Sequence, residues 1–199
     1  MQRDDLQGLH YITAMQNLLS ITNVGLLSNR RSKAVDATSI ALEGVQDRRA
    51  VKRVPGGRPL HEYVNLYINA RNPMLFRRIN MHRTICVLSV SLAVLDLPGV
   101  VVTDQNAASN YVRFAGGANA LAIVDGAFTF AEFWTHPEDA IQEWRHKSAM
   151  CAEVLVPDVV PPRFVIGAYV SGPAAALNFD AIGLGLGRSV NRALFFNRG

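Results

Sequence analysis

Cysteine and long hydrophobic runs are both scarce in this sequence. Its two cysteines, Cys86 and Cys151, lie within apolar segments, where cysteine is more often a small core residue than half of a disulfide. We therefore expect two thiols and no disulfide. The most apolar stretch, residues 84–103, is interrupted by Asp96 and by Pro98, which argues against a membrane-spanning helix and predicts two strands instead.

Charged residues are also few, and the excess of one sign is small. They make up 18% of the 199 residues, against 49% hydrophobic residues, and the net charge is +4. This composition excludes a disordered chain and favours one globular domain over residues 1–199. The modest positive charge gives little weight to anionic partners, since many ordinary enzymes are equally basic. Residues 1–5 lack an apolar signal core, so we expect a cytoplasmic protein.

Several common site motifs are absent. The five histidines show no metal-ligand spacing with one another or with the cysteines, so we expect no metal. The chain contains no Gly-x-Ser-x-Gly motif of a serine hydrolase. The glycines of residues 183–187 lack the Gly-x-Gly-x-x-Gly spacing of a dinucleotide-binding loop, and we expect a flexible turn there.

Alternating apolar residues predict a chain rich in strands. Residues 63–68 alternate cleanly, with Val64, Leu66 and Ile68 on one face of a half-buried strand. Further strands are expected near residues 85–92, 99–102, 153–157, 163–171 and 194–196. Because strands dominate and no repeating βαβ unit is visible, the fold class is α+β.

Short helices are expected between these strands. Thr13 and Gln16 have capping-box spacing at the start of a helix that Gly25 ends. Asn72-Pro73 has the cap and first-turn proline of another helix. Two more helices are predicted from Asp104 to Asn110 and from Pro137 to Lys147.

Glu153 is the most informative single residue. It lies in the apolar run of residues 149–157, where an ionised carboxylate is costly to bury unless it is paired. A glutamate in such a strand is therefore a candidate for chemistry.

Residues 28–58 lose the apolar rhythm and are rich in cations. From Arg30 to Arg58 there are eight lysines and arginines against three acidic residues, Asp36, Glu43 and Asp47. Composition alone favours a solvated surface, and a phosphate-binding surface is the alternative. A polar insertion of this length, with some helix near residues 39–45, is usually functional or mobile.

With these residues laid out, the chain resembles the DarT family, DNA ADP-ribosyltransferase toxins of bacterial toxin–antitoxin systems. The likeness extends in order from about residue 9 to residue 165. The matching stretches are residues 10–13 with Asn17-Leu18 and Gly25-Leu26, then residues 46–49, 60–67, 70–75, 103–108 and 152–157.

The resemblance implies a split-β ADP-ribosyltransferase fold, in which two facing antiparallel sheets with short helices enclose an NAD cleft. It implies a glycosyltransferase that cleaves NAD at the nicotinamide and attaches ADP-ribose to a base of single-stranded DNA. NAD would be the substrate, no metal would be needed, and a cognate antitoxin protein would be a partner.

The resemblance also assigns roles by position. Glu153 would be the catalytic glutamate, and Arg48 or Arg49 the catalytic arginine, with Arg49 slightly preferred. Residues of the NAD site would be His10, Tyr11, Thr13, Asn17, Gly25, Leu26 and Arg71, although Arg71 could equally bind a DNA phosphate. DNA-binding residues would be Arg53, Tyr63, Asn65, Tyr67 and Asn106. From the residues alone, His10 and Tyr11 could equally be an ordinary packed pair.

One departure bears on the acceptor base. Many relatives read Val-Pro-Phe-Tyr-Phe where this chain has residues 64–68, with Asn65 at the second position. Both thymidine and guanosine are acceptors within the wider family, and Asn65 inclines the expectation slightly toward guanosine. The rival interpretations are the same fold with an RNA or protein acceptor, and a non-enzymatic nucleic-acid-binding module.

Overall fold

A large β-sheet flanked by short helices forms the framework of the structure, a computed structural model that describes residues 1–35 and 37–197. The strands are β1 (Leu9–Ala14), β2 (Leu26–Leu27), β3 (Tyr63–Tyr67), β4 (Ile85–Val90), β5 (Val101–Thr103), β6 (Phe114–Gly116), β7 (Glu153–Pro157), β8 (Val159–Val160), β9 (Val165–Val170) and β10 (Arg188–Val190). The α-helices are α1 (Leu18–Val24), α2 (Asn29–Ser32), α3 (Glu43–Ala50), α4 (Pro73–Phe76), α5 (Gly126–Thr129), α6 (Ala140–Ala149) and α7 (Pro173–Asp180).

Short 3₁₀ helices supply many of the connections between these elements. They cover Arg3–Asp5, Met15–Asn17, Leu60–Glu62, Ile79–Met81, Leu92–Asp96, Ala120–Ile123 and Pro162–Phe164. The mixture of one large sheet and short helices confirms the α+β class.

Two halves make up the large sheet. Its strand order is β10-β9-β4-β1-β3-β7-β5-β6, and a single residue pair, His10 with Tyr67, joins β1 to β3. By contrast, β1 pairs with β4 along its whole length, from Leu9 to Ala14. The two facing sheets implied by the resemblance are therefore the halves of one hydrogen-bonded sheet. A second sheet contains only β2 and β8, and the β9–β10 pair is parallel where antiparallel strands were expected.

The alternation of residues 63–68 separates two packed faces. Val64, Leu66 and Ile68 are at most 1% exposed and belong to the largest hydrophobic cluster, as predicted. Tyr67 faces the opposite side, in a smaller cluster with Phe195. The sheet is thus covered on both faces.

The helix that ends at Gly25 begins later than predicted. Thr13 lies in β1 and makes no helix cap, because its hydroxyl accepts a hydrogen bond from the Asn17 amide at 3.1 Å. A 3₁₀ turn of Met15–Asn17 then leads into α1, and Gly25 ends it as predicted.

Two other predicted elements are wrong. The Asp104 carboxylate accepts hydrogen bonds from the backbone and side chain of Arg113 at 2.9 and 2.7 Å, so it fixes the connection between β5 and β6 and starts no helix. Residues 194–196 form a turn, and their apolar pattern reflects Phe195, which is fully buried. The last strand is instead β10, whose three exposed residues carry no apolar signal.

Both cysteines are buried free thiols, as expected, and burial raises the pKa of each to about 12. In residues 1–35 and 37–197, no helix combines the length and the apolar character needed to cross a bilayer.

Gly25 provides a test of the turn between α1 and β2. Its φ is +89°, and an added Cβ would clash with the carbonyl oxygen of Val160. We expect Gly25→Ala to lower the free energy of unfolding by roughly 1–3 kcal/mol, because an L-residue is strained there. Gly44→Ala is the matched control, since a Cβ at Gly44 of α3 meets nothing within 4 Å. Chemical denaturation of both variants checks this; equal stabilities would contradict it.

Candidate active site

A cavity of about 590 Å³ extends between the two halves of the sheet. Because β1 and β3 share one residue pair, side chains of both strands can line the space beyond it. Ten of the predicted site residues lie in its wall: Tyr11, Thr13, Asn17, Arg48, Arg49, Tyr63, Asn65, Tyr67, Asn106 and Glu153.

Glu153 is fixed by its position in the sheet. It is the first residue of β7, is fully buried, and stands opposite Tyr67 of β3 and Thr103 of β5. Its backbone N–H donates to the Thr103 hydroxyl at 3.1 Å. Its carboxylate accepts a hydrogen bond from the backbone N–H of Ala107 at 3.4 Å. The carboxylate is therefore oriented by the loop after β5 as well as by its own strand.

Arg49 supplies the counter-charge. It lies on α3, is 4% exposed, and its Nη1 donates to Oε2 and Oε1 of Glu153 at 2.9 and 3.2 Å. Its neighbour Arg48 also lines the cavity but is exposed to solvent. The geometry therefore associates Arg49, and not Arg48, with the glutamate.

One donor of Arg49 is left over. Nη2 is buried and has no hydrogen-bond partner among the described residues. A buried donor without a partner is unfavourable by about 1–3 kcal/mol. A ligand oxygen in the cavity would remove that cost, so this atom is suited to binding an acceptor group.

Tyrosines of β3 line the same wall. Tyr67 is 7% exposed, and burial, reinforced by the nearby Glu153 carboxylate, raises its pKa well above the usual value. Its phenol therefore stays protonated and can donate a hydrogen bond. Tyr63 and Asn65 line the cavity from the same side of β3 as Tyr67, because side chains two residues apart along a strand point to the same face.

Asn106 is placed by backbone contacts. Its N–H donates to the carbonyl of Ser148 on α6 at 2.9 Å, and its side-chain oxygen accepts from the N–H of Ala108 at 2.8 Å. The loop that carries Asn106 also carries Ala107, so α6 holds the peptide that orients Glu153.

Five predicted residues do not line the cavity. His10 forms the single β1–β3 pair, and its ring lies near that of Tyr169, with centroids 6.3 Å apart. Gly25 and Leu26 form the close approach to Val160, and it is Leu27 that reaches the cavity wall.

The two arginines in this group have partners elsewhere. Arg53 donates to the carbonyl of Gly57 at 3.2 Å. Arg71 donates to the carbonyls of Glu132 and Ala193 at 2.6 and 3.3 Å, and its guanidinium lies over the ring of Phe196. Arg71 therefore joins the segment between α5 and α6, through Glu132, to the C-terminal segment, through Ala193 and Phe196.

The cations of residues 30–58 are mostly engaged within the protein. Arg30 pairs with Glu62, Arg31 and Arg58 both pair with Asp158, and Arg49 pairs with Glu153. Lys52 donates to the carbonyl of Ser109. These contacts tie the segment to the rest of the protein. Most of the cations nevertheless remain at the surface, as composition favoured: the side chains of Arg30, Arg31 and Arg58 are 73%, 55% and 49% exposed. Asp36 lies outside the described residues.

Sequence reasoning missed the contribution of helix α6 to the cavity wall, along with that of residues 37–42. Trp144, Lys147, Ser148 and Cys151 all line the cavity. Their spacing of three, one and three residues along the helix and its C-terminal end is the signal that could have found them. Across residues 1–35 and 37–197, no three His, Cys, Asp or Glu side chains are grouped to hold a metal ion.

Comparison with known proteins identifies the family. The model of the family described as "ssDNA thymidine ADP-ribosyltransferase, DarT" matches residues 10–189. A DNA ADP-ribosyl transferase–DNA ADP-ribosyl glycohydrolase fusion protein of Thermosipho africanus is 28% identical over 184 residues, 85% of this chain and 44% of that protein. The chain thus spans less than half of that relative. A DNA ADP-ribosyl transferase of Thermus sp. is 28% identical over 145 residues, 66% of this chain and 68% of that protein.

Solved structures support the same fold. The DarT of Thermus sp. 2.9 in complex with ADP-ribosylated single-stranded DNA superposes with a TM-score of 0.83 at 22% identity, covering 98% of each chain. The DarTG of T. africanus in complex with ADP-ribose gives a TM-score of 0.81 at 24% identity, covering 96% of this chain and 51% of that one.

The buried ion pair leads to a stability prediction. Arg49→Ala should lower the free energy of unfolding by about 3–5 kcal/mol, because it leaves the Glu153 carboxylate buried and uncompensated. The adjacent Arg48→Ala, at an exposed position, should change it by at most about 0.5 kcal/mol. Urea denaturation of the two variants measures the difference. Similar losses in both would mean that the pair does not contribute to stability as described.

His10 leads to a prediction on pH dependence. Burial lowers its pKa to about 4 from the ordinary 6.5, so the unfolded chain binds the proton first as the pH falls. The stability contributed by neutral His10 is present above pH 6.5 and is lost toward pH 4. As the pH falls from 6.5 to 4, we expect the free energy of unfolding of His10→Gln to rise relative to that of the wild type. Denaturation curves at several pH values measure this difference. A constant difference would refute this.

Proposed function

The chain belongs to the DarT family, and from that membership and the site geometry we propose that it transfers ADP-ribose from NAD to a base of single-stranded DNA, releasing nicotinamide. The observation that carries the proposal is the buried Arg49–Glu153 ion pair in the wall of the cavity between the sheet halves. It joins a carboxylate, an unpartnered guanidinium nitrogen and a space of ligand size.

The cavity suits NAD in volume and in polarity. Its volume of about 590 Å³ falls within the roughly 300–1,000 Å³ of small-molecule sites. Tyr11, Thr13 and Asn17 line it from the β1 half and are proposed to contact NAD. Arg49 Nη2 is suited to a phosphate or ribose oxygen, because guanidinium binds such oxygens well. His10, Gly25 and Leu26 are proposed to support this region from behind the wall, and Arg71, whose contacts lie elsewhere, is not assigned to it.

Glu153 is proposed to act on the reacting ribose. When the bond between C1′ and the nicotinamide nitrogen breaks, positive charge develops on the ribose, and a fixed carboxylate nearby stabilises that charge. A base atom then bonds to C1′ and loses its proton. The same carboxylate can orient the base or accept that proton, and such assistance is worth roughly 10²–10⁴-fold in rate.

Thymidine is the acceptor base that we propose. The description of the matched family names it, and this takes precedence over the slight inclination toward guanosine that Asn65 suggested. Tyr63, Asn65, Tyr67 and Asn106 are proposed to contact the acceptor, since they line the β3 side of the cavity. Arg53, exposed beyond the end of α3, is proposed to contact the DNA backbone.

A partner that reverses the modification is part of the proposal. In the T. africanus relative, the transferase is fused to a DNA ADP-ribosyl glycohydrolase. We propose that this chain is the toxin component of a toxin–antitoxin system whose antitoxin supplies such an activity. Cellular DNA as the substrate implies action in the cytoplasm.

The test of the proposed function is transfer of label from NAD. The protein is incubated with labelled NAD and four single-stranded oligonucleotides, each lacking one base, beside RNA, duplex DNA and protein. We expect label on single-stranded DNA that disappears only when thymidine is omitted. Loss in the guanosine-free lane would transfer the assignment to guanosine. Label on RNA or protein alone would reject the DNA acceptor.

Variants at Glu153 test the mechanism in the same assay. Glu153→Gln keeps the shape and removes the charge, and we expect transfer to fall roughly 10²–10⁴-fold. Glu138→Gln, at an exposed position outside the cavity wall, is the control and should retain full transfer. Undiminished transfer in folded Glu153→Gln would exclude the proposed role.

A further inference from the structure

Helix α6 presents a half-exposed tryptophan to the cavity. Trp144 is 49% exposed and lines the wall together with Lys147, one turn further along the helix. The large apolar ring of a tryptophan is stabilised when it is removed from water, and tryptophan is enriched at binding interfaces for this reason. An indole left half open beside a polar cavity is therefore a surface for a ligand with a planar ring.

The chain's other tryptophan shows the contrast. Trp134 packs edge-on against Phe76 and Phe196, with centroid distances of 5.5 and 5.8 Å. Among the described residues, no aromatic ring packs against Trp144 in this way. Trp134 therefore has a packing role, whereas the face of Trp144 is available.

The helix that carries Trp144 is firmly held. The Asp139 carboxylate caps its N-terminus by accepting from the N–H of Gln142 at 2.9 Å. On its buried side, His146 Nε2 lies 3.2 Å from the carbonyl of Phe128 and His146 Nδ1 lies 2.9 Å from Nε2 of His136. Since a carbonyl only accepts, His146 donates from Nε2 and accepts at Nδ1. Trp144 is thus presented from a fixed helix, and little ordering is needed on binding.

Position relates Trp144 to the DNA and not to NAD. The carbonyl of Ser148, one turn beyond Trp144, accepts from the N–H of Asn106, a residue proposed to contact the acceptor. The residues proposed to contact NAD from β1 belong to the other half of the sheet. The chain of α6 also continues through Cys151 directly to Glu153. A single strand of DNA whose reacting base lies next to Glu153 therefore also lies close to α6.

Cations near Trp144 fit a nucleotide backbone. Lys147 lines the cavity, and its Nζ contacts the Glu143 carboxylate at 2.5 Å while its side chain remains 41% exposed. Arg48 also lines the cavity, and no acidic side chain among the described residues pairs with it. An aromatic ring beside cations is the arrangement by which proteins bind single strands, with bases stacked and phosphates paired.

We propose that Trp144 stacks on a base flanking the modified one and that Lys147 contacts the adjacent phosphate. The inference rests on the proposed function, because it assigns part of the path of the acceptor strand. It adds a positioning residue on α6 that acts on the DNA and takes no part in the chemistry at the ribose.

Two single-tryptophan variants test the contact directly. Trp134→Phe leaves Trp144 as the only tryptophan, and Trp144→Phe leaves Trp134. Each is titrated, without NAD, with a single-stranded oligonucleotide whose binding is followed independently by fluorescence anisotropy of a label on the DNA. We expect the emission of Trp144 to be quenched in parallel with binding and that of Trp134 to be unchanged. Binding without quenching of Trp144, no binding, or quenching by NAD alone would each overturn the inference.

Affinity and kinetics supply the second readout. Trp144→Ala should weaken oligonucleotide binding about 5- to 150-fold, which corresponds to the ~1–3 kcal/mol of one base stacked on an aromatic ring. Trp144→Phe should restore most of it, because a phenyl ring still stacks. In the transfer assay, Trp144→Ala should raise the KM for DNA and leave kcat and the KM for NAD unchanged. A fall in kcat at unchanged KM for DNA would contradict a stacking role.

The two proposals fail in different ways. If no acceptor is labelled but oligonucleotide binding quenches Trp144, the transfer function falls while the strand contact stands. If DNA is labelled but Trp144→Ala binds and reacts as the wild type does, the function stands and the strand contact is refuted.

Discussion

The buried pair of Arg49 and Glu153 is the interaction on which the site depends. It connects α3, within the cation-rich segment, to the first residue of β7, near the middle of the sheet. Both side chains are almost completely removed from water, at 5% and 0% exposed. Desolvating two charges is expensive, and attraction repays it only when geometry is good and further hydrogen bonds are made. The contacts from Nη1 to both carboxylate oxygens and from the Ala107 amide meet that condition for Glu153. Arg49 does not meet that condition, because its buried Nη2 has no hydrogen-bond acceptor among the described residues.

The cavity follows from how little joins the two halves of the sheet. A pair of neighbouring strands normally closes by hydrogen bonding along its length, as β1 and β4 do. Between β1 and β3 only His10 and Tyr67 are paired, which leaves the rest of both strands to form opposite walls. The missing hydrogen bonds between β1 and β3 lower the stability of the fold, and the apolar clusters that cover both faces of the sheet offset this loss. The framework is therefore well packed around a site that is polar and open.

The sequence allowed correct predictions where the burial of a residue could be inferred from its immediate neighbours in the chain. Glu153 could be singled out because a carboxylate in an apolar strand demands a partner, and Val64, Leu66 and Ile68 revealed their face by alternation. The partner itself could not be derived, because Arg49 is 104 residues away and contacts at such a separation leave no periodic trace. The partners of Arg30, Arg31 and Arg58 could not be derived either, because only the fold brings Glu62 and Asp158 to these exposed side chains. The resemblance placed Arg71 at NAD or at a DNA phosphate, whereas Arg71 contacts Glu132 and Ala193, which lie 61 and 122 residues further along the chain.

The unpartnered Nη2 of Arg49 also indicates that the ion pair is not explained by folding stability alone. Replacing a buried ion pair by well-packed apolar residues is often neutral or stabilising, by about 1–4 kcal/mol. A chain selected only for stability would therefore gain little from Arg49 and Glu153, and the unpartnered Nη2 is a further cost. Retention of the pair within the cavity wall is accounted for if a ligand completes it, because each group then has its full set of partners only in the bound state. The free energy that the unpartnered Nη2 costs in the folded protein would then be recovered when a ligand oxygen accepts its hydrogen bond.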